Sequence, residues 1–262
     1  MFFGGRNLPY KPSELYKAHV ANLRELDIAI TVVRRQARAA IAHKDPERSL
    51  NSLVRLLAFL TGAWAETRLN KLLHEEFGFS PAERDKILEE DTQIERWKKA
   101  VDVAFRKNIG KPKAKLGRST LGVAGSARRD VIHEIIESDL RIIIEIRNKL
   151  AHGQWHFPLS NDGAKIESKK YTLINKENLM SLQFKQDMIR HLSSLIHDLI
   201  VSPAAFERDF ESHYIKLENA KRSLLNESYS RYEARLQRSR ERFRSKLTQI
   251  PECEPPPPLD RA

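Results

Sequence analysis

Cysteine is almost missing from this chain: its 262 residues include one, Cys253. No intramolecular disulfide can form, and a cysteine-rich zinc site is excluded. Long apolar runs are missing too, and nothing approaches the ~20 residues needed to cross a bilayer. No membrane association is expected. The opening Met1-Phe2-Phe3-Gly4-Gly5-Arg6 lacks the charged start and apolar core of a signal peptide, so the expected location is the cytoplasm. There is no glycine-rich phosphate loop ending in Lys-Ser or Lys-Thr, no Gly-x-Ser-x-Gly elbow, no His-Glu-x-x-His pair and no calcium loop. The nine histidines fall without metal-ligand spacing. His133-Glu134 has no second His four residues on, and His191 and His197 are six apart, on different helical faces. The spacing therefore gives no metal site.

Positive charge is abundant. Lys and Arg number 46 against 35 Asp and Glu, a formal net charge of +11. A chain this basic is suited to a polyanion: nucleic acid, a phosphorylated ligand or an anionic surface. Hydrophobic residues make up 40% of the chain, enough for a sizeable core in one large domain or two small ones.

Apolar residues recur at steps of three and four through most of the sequence, which predicts an all-α antiparallel helical bundle. Residues 1–12 read as an arm, and 13–202 as the bundle. Leu23, Leu26, Ile30, Val33, Ala37 and Ile41 mark a first helix ending near His43. Asp45-Pro46-Glu47 is a restart in which Asp45 can cap and Pro46 can take the first helical position. The second helix carries Leu50, Leu53, Val54, Leu57, Leu60 and Trp64 to about Glu76. Ser80-Pro81-Ala82-Glu83 is a capping box. Residues 106–129 hold many cations, no acid, and several glycines. They read as a mobile basic loop, either a solvated linker or one that grips phosphates through Lys111, Lys113, Lys115 and Arg118. From Arg129 or Asp130 a helix with Ile132, Ile135, Ile136, Leu140, Ile143, Ile146 and Leu150 follows, apolar enough to be central and buried. Turn residues between short apolar stretches over 154–174 predict a small hairpin or ordered loop. Asn175 is then placed to cap the next helix. After Ser202-Pro203 a long basic C-terminal helix is expected over 203–250, with Arg235, Arg238 and Arg242 as phosphate contacts and Tyr229 or Tyr232 to stack bases. Residues 251–262 read as a disordered proline-rich tail.

The central helix ends in Arg147-Asn148-Lys149-Leu150-Ala151-His152, with Gly153 placed as its stop. Asn148 and His152 are four apart and share a face. Arg147 lies about 100° round the helix, within reach of the same cleft through its long side chain. A fixed cation, an amide and an imidazole suit RNA cleavage by the 2′-hydroxyl. Histidine can take or give the proton, a role worth ~10²–10⁴ in rate. Arginine can hold two phosphate oxygens at any working pH. Singly, such residues are also ordinary at a helix C-terminus, where cations complement the dipole.

The run Arg-Asn-x-x-x-His-Gly at the end of an apolar helix resembles the Arg-x4–6-His motif of the HEPN superfamily. The specific match covers residues 147–153. The resemblance implies an antiparallel helical bundle, often a homodimer, whose two motifs meet in one composite, metal-independent endoribonuclease site without a cofactor. Arg147, Asn148 and His152 would be its active-site residues. It also implies a toxin or anti-phage setting, with an antitoxin or activating partner. Such sites often use an acid from a neighbouring helix, for which Glu66 is the candidate, paired with Arg147. One subgroup carries a Tyr two residues after the His, the target of a modifying nucleotidyltransferase. Here that position is Gln154.

Two other functions fit the residues. One is a silent RNA- or nucleotide-binding module using the basic loop and tail. The other is a helical scaffold that docks a partner protein through the last helix.

Overall fold

The computed structural model describes residues 13–247. The expected N-terminal arm and proline-rich tail, with Cys253, lie outside the described residues. The chain is an all-α helical bundle. Helix α1 (Glu14–His43) is capped by the Ser13 hydroxyl, which accepts from the Tyr16 N–H at 3.1 Å. It folds back through Lys44, whose φ is +56°, into α2 (Glu47–Leu73). The two run antiparallel: His19 meets His74, and Lys71 lies over Tyr16. Asp45 does not cap α2. Pro46 takes the cap position without a side-chain bond, and α2 closes at Leu73 rather than Glu76.

The capping box of Ser80 and Glu83 opens α3 (Pro81–Leu88), and Thr92 caps α4 (Gln93–Asn108). The basic segment after α4 departs from the expected mobile loop. Helix α5 (Arg118–Ile135) starts eleven residues before Arg129 and kinks at Gly122, where φ is +70°. Arg106 donates to the Ala114 carbonyl at 3.0 Å, and Lys107 to the Phe77 carbonyl at 3.0 Å. The first of these ties the middle of the segment back to α4, and residues 109–117 are its irregular part. Arg129 does not begin a helix: it grips Asp102 with two bonds of 2.8 and 3.1 Å.

A π-helical turn, Ile136–Leu140, joins α5 to α6 (Arg141–Ala151). A π-turn adds one residue to a helical revolution and so resets the phase of the next helical segment. Here it lets both Ile132 and Ile135 before it and Ile143, Ile146 and Leu150 after it face the core. The segment after α6 is an ordered loop with one antiparallel bridge, Leu159 to Ile166. Tyr171 to Ile174, the second arm of the expected hairpin, lie in α7 (Ser168–Lys176). Asn178, not Asn175, caps α8 (Leu179–Val201) by accepting from the Ser181 N–H at 2.8 Å. Ser202 alone separates α8 from α9 (Pro203–Asn226), and the two pack antiparallel, with His191 near His213 and Met188 near Ala220.

The single C-terminal helix expected over 203–250 is two helices. Glu227 is extended, with ψ 134°, and α10 (Tyr229–Leu247) turns back to lie along α1. Gln237 reaches the Ile41 carbonyl at 3.4 Å and Glu241 faces Lys44 at 3.9 Å. A helix of ~45 residues in one piece would extend ~68 Å and leave its apolar stripe uncovered. The break lets Tyr229, Tyr232 and Leu236 pack on the core. No helix among the described residues is long and apolar enough to cross a membrane.

Helices α2 and α8 form the centre, with Trp64 and Trp97 fully buried between them and α4. One buried polar link crosses this core. The Gln186 amide donates to Thr61 Oγ1 at 2.7 Å, and Arg34 donates to the Gln186 carbonyl oxygen. That link ties α1, α2 and α8 in a fixed register, since each partner unpaired would carry a desolvation cost.

Asp102 joins α4 to α5, taking His133 Nε2 at 2.9 Å as well as Arg129. Burial alone would raise its carboxyl, but the hydrogen bonds from His133 and Arg129 outweigh this and hold it at about 2, below the ordinary 3.8. A depressed folded-state value contributes stability above the unfolded value and loses it as pH falls through the folded one. The contribution is therefore complete above about pH 4 and is lost toward pH 2. Urea titrations should show the wild type losing about 2 kcal/mol more over that window than Asp102→Asn. Parallel pH profiles for the two proteins would contradict this coupling.

Candidate active site

Helix α6 carries the motif, and its placement depends on a glycine in α2. At Gly62 a methyl group would overlap Arg147 Cβ, come to 2.8 Å from Cγ and to 3.2 Å from the Ile143 carbonyl oxygen. The two helices thus cross in direct contact at the first residue of the motif. One turn further along α2, the Glu66 carboxylate forms an ion pair with the Arg147 guanidinium, each side chain being 27% exposed. Gln93 of α4 donates to the other Glu66 oxygen at 2.9 Å. Arg147 also donates to Asn148 Oδ1 at 3.0 Å, which bends its head toward the neighbouring face. The pairing of Glu66 with Arg147 expected from sequence is present in the fold.

The end of α6 is set by a Schellman closure. Gly153, at φ +76°, donates to the Leu150 carbonyl at 3.1 Å, and Gln154 to the Lys149 carbonyl at 3.0 Å. The left-handed turn favours glycine there. It leaves His152 as the last, exposed residue of the helix end. Trp155 is a packing residue: its indole N–H donates to the Leu150 carbonyl at 3.0 Å.

Asn148 and His152 face one cavity of about 490 Å³. Glu145, Lys149 and Lys170 form its charged lining, and Gln154, Ser160 and Asn161 its rim. Lys149, only 8% exposed, donates to the Leu159 carbonyl and pairs with Glu167 at 2.7 Å. The Lys149 hydrogen bond holds the Glu167 carboxyl below the usual carboxylate range, with Lys170 adding to the effect. Gln154 Oε1 accepts from the Leu159 N–H at 2.8 Å. Gln154 therefore fastens the loop that walls the cavity.

The expected site residues are distributed over several places. Asn148 is the link between the two parts of the motif, touching Arg147 and lining the cavity with His152. Arg147 is outside that lining, held toward α2 by Glu66. Lys111, Lys113, Lys115 and Arg118 are exposed and sit apart from it. Lys113 borders a cavity of about 320 Å³ against Glu83, Lys86 and Lys99. Arg235 and Arg238 line a third cavity between α9 and α10, and Arg242 is exposed further along α10. Gly62, Gln93, Lys149 and Lys170 were not singled out by motif. Only Gly62 had a readable signal: a glycine inside a strong helical pattern costs ~1 kcal/mol against alanine, which a close helix approach offsets.

Chemically, the cavity offers an exposed imidazole, an amide and two ammonium groups on a fixed wall, with a guanidinium one residue away. That set can bind a phosphodiester and move a proton at His152. Glycine to alanine inside a helix ordinarily stabilises by ~1 kcal/mol. At Gly62 the contact reverses that sign: Gly62→Ala should destabilise by about 1–3 kcal/mol, as overpacking does. Denaturant unfolding reads this directly, and an unchanged or raised midpoint would mean that α2 and α6 do not meet as described.

Comparison with protein-family models, curated proteins and solved structures finds no match for this chain.

Proposed function

We propose that this chain is a HEPN-type, metal-independent endoribonuclease. The observation that carries the reading is the shared cavity of Asn148 and His152, joined through Asn148 to an Arg147 that Glu66 holds in place. In the proposed step a base removes the proton of the 2′-hydroxyl, and its oxygen forms a bond to the adjacent phosphorus. The bond from phosphorus to the 5′-oxygen breaks, and that oxygen takes a proton. The products are a 2′,3′-cyclic phosphate and a 5′-hydroxyl. One imidazole cannot readily serve as base and acid in the same turnover. A two-fold homodimer would supply a second His152 and a second Arg147, as an isologous interface requires. By the same resemblance, the setting is a cytoplasmic toxin or anti-phage effector acting with an antitoxin or activating partner.

A second reading has its own observation. The Arg147 charge is already engaged by Glu66, which leaves it less available to a phosphate. That favours a binding module in which the motif is structural.

Purified protein incubated with cellular RNA in EDTA separates the two. The nuclease reading predicts cleavage by the wild type with cyclic phosphate ends. His152→Ala and Arg147→Ala should each cut at least ~10²-fold more slowly. His152 is exposed, so its variant folds normally and guards against a misfolding explanation for Arg147→Ala. Equal cutting by all three proteins would refute the site assignment, and binding without cutting by all three would support the module.

A further inference from the structure

The turn from α9 to α10 creates a cavity of about 620 Å³. Arg222 from α9 and Arg231, Arg235 and Arg238 from α10 line it, together with Tyr232. Several arginines of the bundle are paired with a carboxylate: Arg128 with Glu207, Arg129 with Asp102, Arg141 with Glu137 and Arg190 with Asp187. The four in this cleft have no ion-pair partner among the described residues. Glu227 is the one acid in the lining. Such unpaired like charges repel one another, a cost that a polyanion would remove.

The cations are also ordered. Arg231, Arg235 and Arg238 follow one another at steps of four and three, which puts them on one face of α10 over ~10 Å of its length. Tyr232 lies between them, half-buried and stacked on Tyr229 with ring centroids 6.0 Å apart. The Arg235 guanidinium sits 5.4 Å from the Tyr232 ring centre. Burial raises the Tyr232 phenol above its ordinary value, and Arg38, Arg235 and Arg34 pull it the other way. Positive charge from α1 therefore reaches the same ring.

A row of cations that can follow a phosphate backbone, around an aromatic face that can stack on a base, is the recognition chemistry of single-stranded nucleic acid. We infer that the cleft between α9 and α10 binds single-stranded RNA, with Arg222, Arg231, Arg235 and Arg238 on its phosphates and Tyr232 against a base. This site shares no lining residue with the His152 cavity. It deepens the RNA reading by naming where a strand is held, and it rests on that reading only for the choice of RNA over other strands.

Binding is measured on the full-length His152→Ala protein, so that success or failure of cleavage does not enter. The probe is a fluorescein-labelled single-stranded RNA of about 12 nucleotides, titrated by anisotropy at several salt concentrations. Replacing Arg231, Arg235 and Arg238 by Gln should weaken binding at least tenfold and reduce the salt slope by about 2, near 0.7 for each lost phosphate contact. Tyr232→Leu should weaken binding with the slope unchanged, and Tyr232→Phe should restore it. A matched triple, Lys111, Lys113 and Lys115 to Gln, removes equal charge elsewhere and should weaken binding far less. Equal losses in the two triples would overturn the proposal in favour of unspecific attraction by net charge. Loss of binding to anionic phospholipid vesicles, with RNA affinity intact, would overturn it in favour of a membrane surface.

Discussion

The contact between Gly62 and Arg147 governs the geometry of this protein's candidate site. Two helices can approach this closely only where one of them has no side chain, and α2 supplies that position where α6 delivers its arginine. The same crossing brings Glu66 within ion-pair distance and Gln93 of α4 onto Glu66 from the other side. Three helices thus converge on one guanidinium. Everything beyond Arg147 is carried by its own helix: Asn148 by adjacency, His152 by one further turn, and the cavity wall by the loop that Lys149 and Gln154 fasten to the helix end. A shift of α6 along α2 would move all of them together.

The rest of the fold serves this placement by packing the motif helix on several sides. The π-turn at Ile136–Leu140 resets the phase between α5 and α6, so that one continuous segment keeps its isoleucines inward on both sides. The Thr61, Gln186 and Arg34 link fixes α2 against α8 and α1 next to the crossing. If the proposed catalysis holds, such support matters, because an error near 1 Å in a catalytic group can cost ~10²-fold in rate. The C-terminal helices have another character. Their inner faces complete the core, whereas their outer faces concentrate unneutralised arginines in one cleft.

The helices were legible in the sequence because their signals are local and redundant. Leu23 to Ile41, Leu50 to Trp64 and Ile132 to Leu150 each repeat a three-and-four spacing over many turns, and Ser80 with Glu83 formed the capping box that its letters imply. The motif's Schellman stop at Gly153 was readable for the same reason. The features that escaped were decided by tertiary packing. The start of α5 at Arg118 was hidden by a composition typical of loops, and the helix survives there by absorbing Gly122 as a kink. The break at Glu227 had a signal in the letters: the stripe Tyr229, Tyr232 and Leu236 lies about 100° round from the stripe that ends at Leu224, and Asn226-Glu227-Ser228 is a cluster suited to a cap. The separation of Arg147 from the His152 cavity is only half legible in the sequence. Adjacent letters in a helix point 100° apart, and only the position of α2 decides which way the arginine leans.

The proposed cleavage of RNA by its own 2′-hydroxyl, at the cavity of Asn148 and His152, is tested by removing that hydroxyl one nucleotide at a time. Cleavage positions are first mapped on a defined RNA in EDTA. The reaction is then repeated with a single 2′-deoxy substitution at each mapped nucleotide. Cleavage should disappear at the substituted position and persist at the others. Cleavage continuing 3′ to a 2′-deoxy nucleotide would show that the attacking oxygen comes from elsewhere and would contradict the mechanism.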